Sequence, residues 1–269
     1  MTATEEPFIR LRNVRKVYRS QGREFLAVSD VTMDVREGEL ISLVGPSGCG
    51  KTTVLKILAG LHDADGGTIQ IGNARTPFDP ARDIGMVFQQ PLLLKWRTIL
   101  DNVLLPAEIV GLPIKAARTR ARELLHLVGL AGHEDKYPQQ LSGGMQQRTA
   151  IARAFIHDPK LILMDEPFGA LDALTREQMN LEMLRIWRES GKTIIFVTHS
   201  IQEAVFLASH CAVLTAGPAR MAEYFPIDLP FPRALPIKTT DEFGAYARRI
   251  YASLGLATDG PAESEISTH

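Results

Sequence analysis

Three stretches of this chain combine residue types suited to phosphate chemistry. In "GPSGCGKTT", residues 45–53, Gly45, Gly50, Lys51 and Thr52 follow the order G-x-x-x-x-G-K-[ST], directly after the apolar run "LISLV". Glycines at 45, 48 and 50 let backbone N–H groups turn inward around phosphate oxygens, and a helix beginning there adds its positive end. Ser47, Cys49 and Thr53 complete the expected ring around the phosphates. Lys51 supplies a point charge for terminal phosphates and the Thr52 hydroxyl a ligand for Mg2+. A dinucleotide loop needs G-x-G-x-x-G, and the order of Gly45, Gly48 and Gly50 excludes it.

In "LILMDEP" an apolar strand ends in Asp165, which can hold a metal directly or through water, and in Glu166, which can polarise an attacking water. Alone, an acidic pair after a strand reads as a solvated turn. Beside a phosphate loop it reads as the second half of a hydrolytic site. The third stretch, "LSGGMQQR" at 141–148, places Ser142, Gly143 and Gly144 before a helical pattern, which makes a second helix start fitted to an anion. One chain then has two phosphate-binding ends and one phosphate loop. A head-to-tail pair of copies resolves the mismatch, each loop facing the other copy's serine-glycine end.

These residues need a frame. "LISLV", "LILM", "TIIFV" and "CAVL" are continuous apolar runs, the pattern of buried parallel strands, while "FIRLRNV" and "VSDVTMDV" alternate as half-buried antiparallel strands do. Helical patterns occupy about 50–60, 115–128, 143–157, 175–189 and 200–208, so strand and helix alternate. From about 91 to 158 the patterning is helical throughout, including "TILDNVLLPAEIVG", where Pro106 is expected to kink a helix. "PIDLPFPRALP" is too rich in proline for a helix interior. "DEFGAYARRIYASL" then sets Phe243, Ala247, Ile250 and Leu254 at helical spacing, as a core-covering helix would, with a polar, disordered tail expected from about 255. The expected division is 1–232 for the nucleotide domain and 233–269 for the helix and tail.

With 269 residues, 45% of them hydrophobic, the chain can bury a sizeable core. A net charge of -1 gives no global pull toward nucleic acid or anionic lipid, and the basic helix "KAARTRARE" reads as a solvated face, so no nucleic-acid partner is expected. Two cysteines, Cys49 and Cys211, show neither metal nor disulfide spacing and favour a reducing compartment. Cys49 reads as a loop filler with a thiol open to alkylation. No run approaches the roughly 18 to 20 apolar residues of a membrane span. If this protein works at a membrane, another chain supplies the membrane part.

At "LSGGMQQR" the chain resembles the ATP-binding subunits of ABC transporters, whose defining stretch, LSGGQ, lies between the phosphate loop and the Asp-Glu strand as it does here. The resemblance extends over about residues 8 to 232 with six motifs in the family's order. It implies an α/β fold: a P-loop ATPase core with an inserted α-helical subdomain and an N-terminal antiparallel β subdomain. It also implies ATP and Mg2+, with Lys51, Glu166 and His199 of "VTHS" in the catalytic roles and His199 on the γ-phosphate. Tyr18 corresponds to the aromatic that stacks on adenine, and Gln89 of "MVFQQ" to the glutamine that senses Mg2+ and hinges the helical insert. Thr52, Gln89 and Asp165 form the implied metal set. Ser142, Gly143, Gly144 and Gln146 would cap ATP held by the opposite subunit, and Asp172 of "GALD" would communicate across that dimer.

The implied partners are a second copy, transmembrane permease subunits and, indirectly, an extracytoplasmic solute-binding protein, placing the chain peripherally on the cytoplasmic face of the inner membrane. "MDEPFGALDALTR" and "PARMAEYFPIDLPFPR" resemble the branch serving nitrate, sulfonate and taurine importers, as does Met145 where many relatives have glutamine. The alternatives are an exporter subunit, or a soluble ABC ATPase acting on nucleic acid or ribosomes. The soluble kind usually carries a long coiled-coil insertion or two nucleotide domains in one chain, and this sequence has neither.

Overall fold

The computed structural model describes residues 6–20, 22–73 and 76–256; the expected tail lies, from residue 257, outside them. The strands are β1 (Ile9–Ser20), β2 (Arg23–Val35), β3 (Leu40–Val44), β4 (Gly66–Ile71), β5 (Ile84–Val87), β6 (Leu161–Asp165), β7 (Thr193–Thr198), β8 (His210–Leu214) and β9 (Ala219–Pro226). They form one sheet in the order β4-β1-β2-β9-β8-β3-β7-β6-β5. β1 pairs antiparallel with β2 and β4, giving the N-terminal antiparallel part. β8, β3, β7, β6 and β5 run parallel.

The continuous apolar runs are explained by burial on both faces. Along β7, Ile194 and Phe196 enter one hydrophobic cluster while Ile195 and Val197 enter the other, and β6 divides Ile162 and Met164 from Leu161 and Leu163 in the same way. One face is covered by α1 (Lys51–Leu58) through Val54, Leu55, Ile57 and Leu58. A short helix, α2 (Pro80–Asp83), precedes β5. The other face is covered by α5 (Gly143–Phe155), α6 (Ala173–Ser190), α7 (Ile201–Leu207) and α8 (Asp241–Ser253). Each fully buried Phe or Ile in these layers contributes about 1.5–3 kcal/mol.

Between β5 and β6 the chain is helical: α3 (Ile99–Ile109) and α4 (Ile114–Leu127) pack with α5. α3 starts at Thr98, whose side chain accepts from the Asp101 N–H at 3.1 Å. It runs on through Pro106, which has no N–H to offer the Asn102 carbonyl. The buried Asn102 side chain fastens the preceding loop instead, accepting from Leu94 N–H and donating to the carbonyls of Leu94, Arg97 and Thr98.

The proline-rich stretch after β9 is held by Arg233. This residue is 4% exposed, and its guanidinium donates to the carbonyls of Val205, Phe206 and Ala208 at the end of α7 and of Ile227 and Leu229 in its own segment. It also stacks over Phe231 at 3.9 Å. Desolvation pulls its pKa down to about 10, so it remains a cation at neutral pH, its two terminal nitrogens satisfied by carbonyls while the buried Nε has no hydrogen-bond partner. α8 follows, burying Phe243 and Ile250 in the same cluster as α7, with Ala247 also buried and Leu254 partly buried.

Candidate functional site

The three central parallel strands β3, β7 and β6 end side by side, and each delivers one part of the site. From β3 comes the glycine loop. Gly50 adopts φ +114°, and a Cβ there would lie 2.7 Å from the Ala27 carbonyl; one at Gly45 would lie 2.6 Å from that of Leu214. Only glycine fits either place, so the loop can hug the sheet and α1 can begin at Lys51 with no side-chain cap over its first N–H groups.

Lys51 is buried. Its Nζ donates to the Gly45 and Pro46 carbonyls at 2.9 Å each and lies 3.6 Å from Glu166 Oε1. Thr52 donates from Oγ1 to Asp165 Oδ1 at 3.1 Å, which joins the loop to the end of β6. Burial is the largest influence on Asp165 and raises its pKa, opposed by the Thr52 hydrogen bond. Glu166 has φ +45°, a conformation that costs a non-glycine residue on the order of 1–3 kcal/mol. Its N–H donates to the Val197 carbonyl at 3.0 Å, and its own carbonyl accepts from Gly169 at 3.1 Å, so the turn is held from both sides. The carboxylate is thereby set between Lys51 and His199, whose Nδ1 is 2.9 Å from Glu166 Oε2.

Ser47, Gly48, Gly50, Lys51, Thr52, Thr53, Gln89, Asp165 and Glu166 line one cleft of about 380 Å³. Gln89 is exposed just beyond β5, and the buried Gln147 of α5 holds its neighbour by donating to the Phe88 carbonyl at 3.2 Å. Gly45 lies at the base of the loop. Cys49 corrects an expectation: it is 2% exposed and desolvation raises its thiol pKa, so it is neither accessible nor activated for alkylation.

The other candidates lie elsewhere. Tyr18 is half-buried at the far end of β1, edge-on to His62 at 5.6 Å, and does not line the cleft. Ser142 caps α5, its Oγ accepting from Met145 N–H at 3.3 Å, with Gly143 exposed beside it. Gln146 turns back to the carbonyls of Pro138 and Leu141. Asp172 caps α6, its Oδ1 accepting from Thr175 N–H at 3.0 Å. A Cβ on Gly144 would stand 3.2 Å from Thr175 and 3.8 Å from Leu171, so the Ser142 end and the Asp172 loop adjoin each other. Neither lines the cleft of its own chain.

Sequence reasoning passed over Arg176, Thr198 and Glu203, which join behind His199. The available signal was Glu203 itself, a carboxylate directly followed by the apolar run "AVFL" in a short helix.

Comparison with known proteins gives this arrangement its context. Residues 28–169 match the ABC transporter family. The taurine import ATP-binding protein TauB of Yersinia pestis is 47% identical over 197 residues, 73% of this chain and 77% of its own. The aliphatic sulfonates import ATP-binding protein SsuB of Bacillus licheniformis is 46% identical over 207 residues, 77% of this chain and 80% of its own. A dimeric ATP-binding cassette in a post-hydrolysis state, bound to ADP and Pi, superposes with a TM-score of 0.71 at 34% identity, covering 82% of this chain and all of that one. A common fold, a common family pattern and close identity to two import ATP-binding proteins lead to one assignment: the chain belongs to the ABC transporter family and is one of its ATP-hydrolysing subunits.

Proposed function

We propose that this chain powers an importer of a small sulfonate, with taurine-like aminoalkyl sulfonates first and nitrate-sized anions second. The observation that carries the energetic half is the convergence of Lys51, the Thr52–Asp165 pair and the Glu166–His199 pair at one cleft. The names of the two import relatives support the solute class.

Placement supports the roles assigned at the cleft. The glycine loop and the first N–H groups of α1 face the phosphates, and Lys51 exchanges its carbonyl partners for a terminal phosphate oxygen. Thr52 and Asp165 offer hard oxygen donors 3.1 Å apart, with Gln89 on the same cleft, a set that fits Mg2+. Among the described residues no cluster of three His, Cys, Asp or Glu side chains would hold a metal alone, which suits an ion that arrives with its nucleotide. When bound, Mg2+ supplies charge neutralisation of the phosphates. Glu166 takes the proton of the attacking water, and His199 holds that carboxylate in register while reaching toward the γ-phosphate. Tyr18 does not line the phosphate cleft, and it is assigned to stack on an adenine that extends beyond that cleft.

Ser142, Gly143, Gly144, Gln146 and Asp172 are assigned to the cleft of a second copy, a reading supported by their lying outside the lining of their own cleft and by the dimeric relative. ATP binding closes two such sites, and hydrolysis reopens them. Among the described residues no helix is long and apolar enough to cross a membrane. The solute path is assigned to permease subunits, with this chain peripheral to them at the cytoplasmic face of the inner membrane, a reading supported by the names of the import relatives. An extracytoplasmic binding protein would deliver solute to the permease subunits.

The test is affinity capture of the tagged chain from gently solubilised native membranes, followed by mass spectrometry and ATPase assay of the complex. A co-purifying polytopic membrane protein, with turnover stimulated by taurine-loaded binding protein, supports the proposal. Recovery of ribosomal or DNA-bound proteins from the soluble fraction instead would remove the transport reading.

A further inference from the structure

The backbone that presents His199 is held from behind by a side chain outside the cleft. Glu203, on α7, is 5% exposed. Its Oε2 accepts from Thr198 Oγ1 at 2.5 Å, and that same threonine oxygen accepts from the Ser200 N–H at 2.9 Å. The Glu203 N–H donates to Ser200 Oγ at 3.3 Å. Both neighbours of His199 are thus fixed by one residue, while the imidazole, itself exposed, reaches Glu166 at 2.9 Å.

The second carboxylate oxygen of Glu203 looks the other way. Oε1 lies 3.6 Å from Nε of Arg176, one turn into α6. Arg176 is bound to the Asp172 loop, its N–H donating to the Asp172 carbonyl at 2.9 Å and its Nη2 to the Leu171 carbonyl at 2.9 Å. A series of contacts therefore runs from Asp172 through Arg176, across a 3.6 Å ion pair in which Arg176 Nε makes no hydrogen bond, to Glu203 and Thr198, and on to His199 and Glu166.

Packing does not account for a carboxylate here. Ala204, Val205, Phe206 and Leu207 beside it are fully buried, and an ionised group at such depth costs several kcal/mol before its partners offset it. Burial is the largest influence on Glu203 and raises its pKa; the Thr198 hydrogen bond and the charges of Arg176, His199 and Lys238 pull it back. Lys238 is itself engaged by Glu177 at 2.5 Å.

We propose that Glu203 is a positioning residue for the hydrolytic pair: it fixes residues 198–200 so that His199 is aimed at Glu166, and it ties that aim to the Asp172 loop through Arg176. The inference rests on the assignment of Glu166 and His199 to hydrolysis. If Asp172 meets a second copy, this is a path by which dimer closure sets the geometry of the pair in the same chain.

The test compares Glu203→Gln, Thr198→Val and Thr198→Ser with wild type in the full chain purified with its membrane partner, measuring kcat, KM for ATP and melting temperature. Glu203→Gln and Thr198→Val should lower kcat about tenfold with KM held within about twofold, while Thr198→Ser, which keeps the hydroxyl, retains kcat. Unchanged kcat in the first two variants overturns the proposal, as does a loss that merely tracks the loss of folded protein. Thr198→Val is near-isosteric and uncharged, and decides the matter should Glu203→Gln fail to fold. Glu166→Gln serves as control: retained turnover there would sink the assignment of the site, whereas an inactive Glu166→Gln beside a fully active Glu203→Gln sinks only the inference drawn from Glu203.

Discussion

Glu166 Oε2 and His199 Nδ1 meet at 2.9 Å, from the ends of two strands that are hydrogen-bonded neighbours in the sheet. The distance is fixed by the register of β6 on β7 and by the left-handed turn at Glu166, not by flexible loops.

Replacing that carboxylate while keeping its shape isolates its chemistry. Glu166→Gln should still bind ATP but hydrolyse it about 10²–10⁴-fold more slowly. Light scattering with Mg-ATP should then show a trapped dimer. A variant that stays monomeric at saturating ATP would count against the two-site arrangement.

Lys51→Ala removes the only buried cation facing the cleft among the described residues lining it. Nucleotide affinity should fall at least about a hundredfold, equivalent to roughly 2.7 kcal/mol, and turnover should vanish. Equilibrium titration with a fluorescent ATP analogue reads the first effect, phosphate release the second. Full turnover would exclude the loop as the phosphate site.

Ser142→Arg places a long cation at an exposed helix start that lies away from its own cleft. Binding of one ATP per monomer should be spared, while dimer formation and hydrolysis are lost. Wild-type hydrolysis in this variant would contradict a role toward a second copy.

Arg233→Met keeps the bulk and removes five hydrogen bonds to main-chain carbonyls. Stranding those acceptors should destabilise the fold by on the order of 3 kcal/mol. That corresponds to about 6–12 °C in calorimetric melting temperature for a chain of this size. A shift below about 2 °C would show that other donors take over.

The attachment of α8 should depend on acidity. Glu223 of β9 accepts from Arg249 Nε at 2.7 Å and from Ser253 Oγ at 2.6 Å, and the Arg249 hydrogen bond is the main reason its pKa lies below the usual 4.5. A depressed folded pKa means the contribution is complete above pH 4.5 and is lost as pH falls through the lower, folded value. Hydrogen-exchange protection of α8 should therefore drop below pH 4.5 before that of β3, β6 and β7. Glu223→Gln should abolish that difference in pH dependence; an unchanged profile would place the titrating group elsewhere.

The parts of the fold that could be read from sequence are those with unmixed signals. β3, β6, β7 and β8 are buried on both faces and so appear as unbroken apolar runs, and the loop from Gly45 to Thr52 is constrained by sterics that admit few residues. β4, β5 and β9 were not legible. β4 is an edge strand that opens on two glycines and leaves much of itself exposed. β5 is four residues long and carries Gly85, which reads as a breaker but is required because a Cβ there would lie 2.2 Å from the Ala154 carbonyl of α5. β9 mixes polar and apolar residues and ends at Pro226. Arg233 and Glu203 were opaque for a deeper reason: each is buried only because distant segments bring it partners, and a charged residue read in isolation belongs at the surface. The same holds for the nearness of Gly144 to Leu171 and Thr175, which no local pattern encodes.

The link between β5 and β6 spans residues 88–160, whereas adjacent parallel strands can be joined by a crossover of roughly a dozen. Of its helices, α5 is needed to cover the sheet, but α3 and α4 lie outward of it and add little to closing the strands. The molecule is therefore modular at a definable seam. Exchanging residues 98–128 with the matching piece of a relative, while leaving Gln89, Gln147 and β6 in place, should yield a chimaera that keeps the sheet and the cleft of this chain intact.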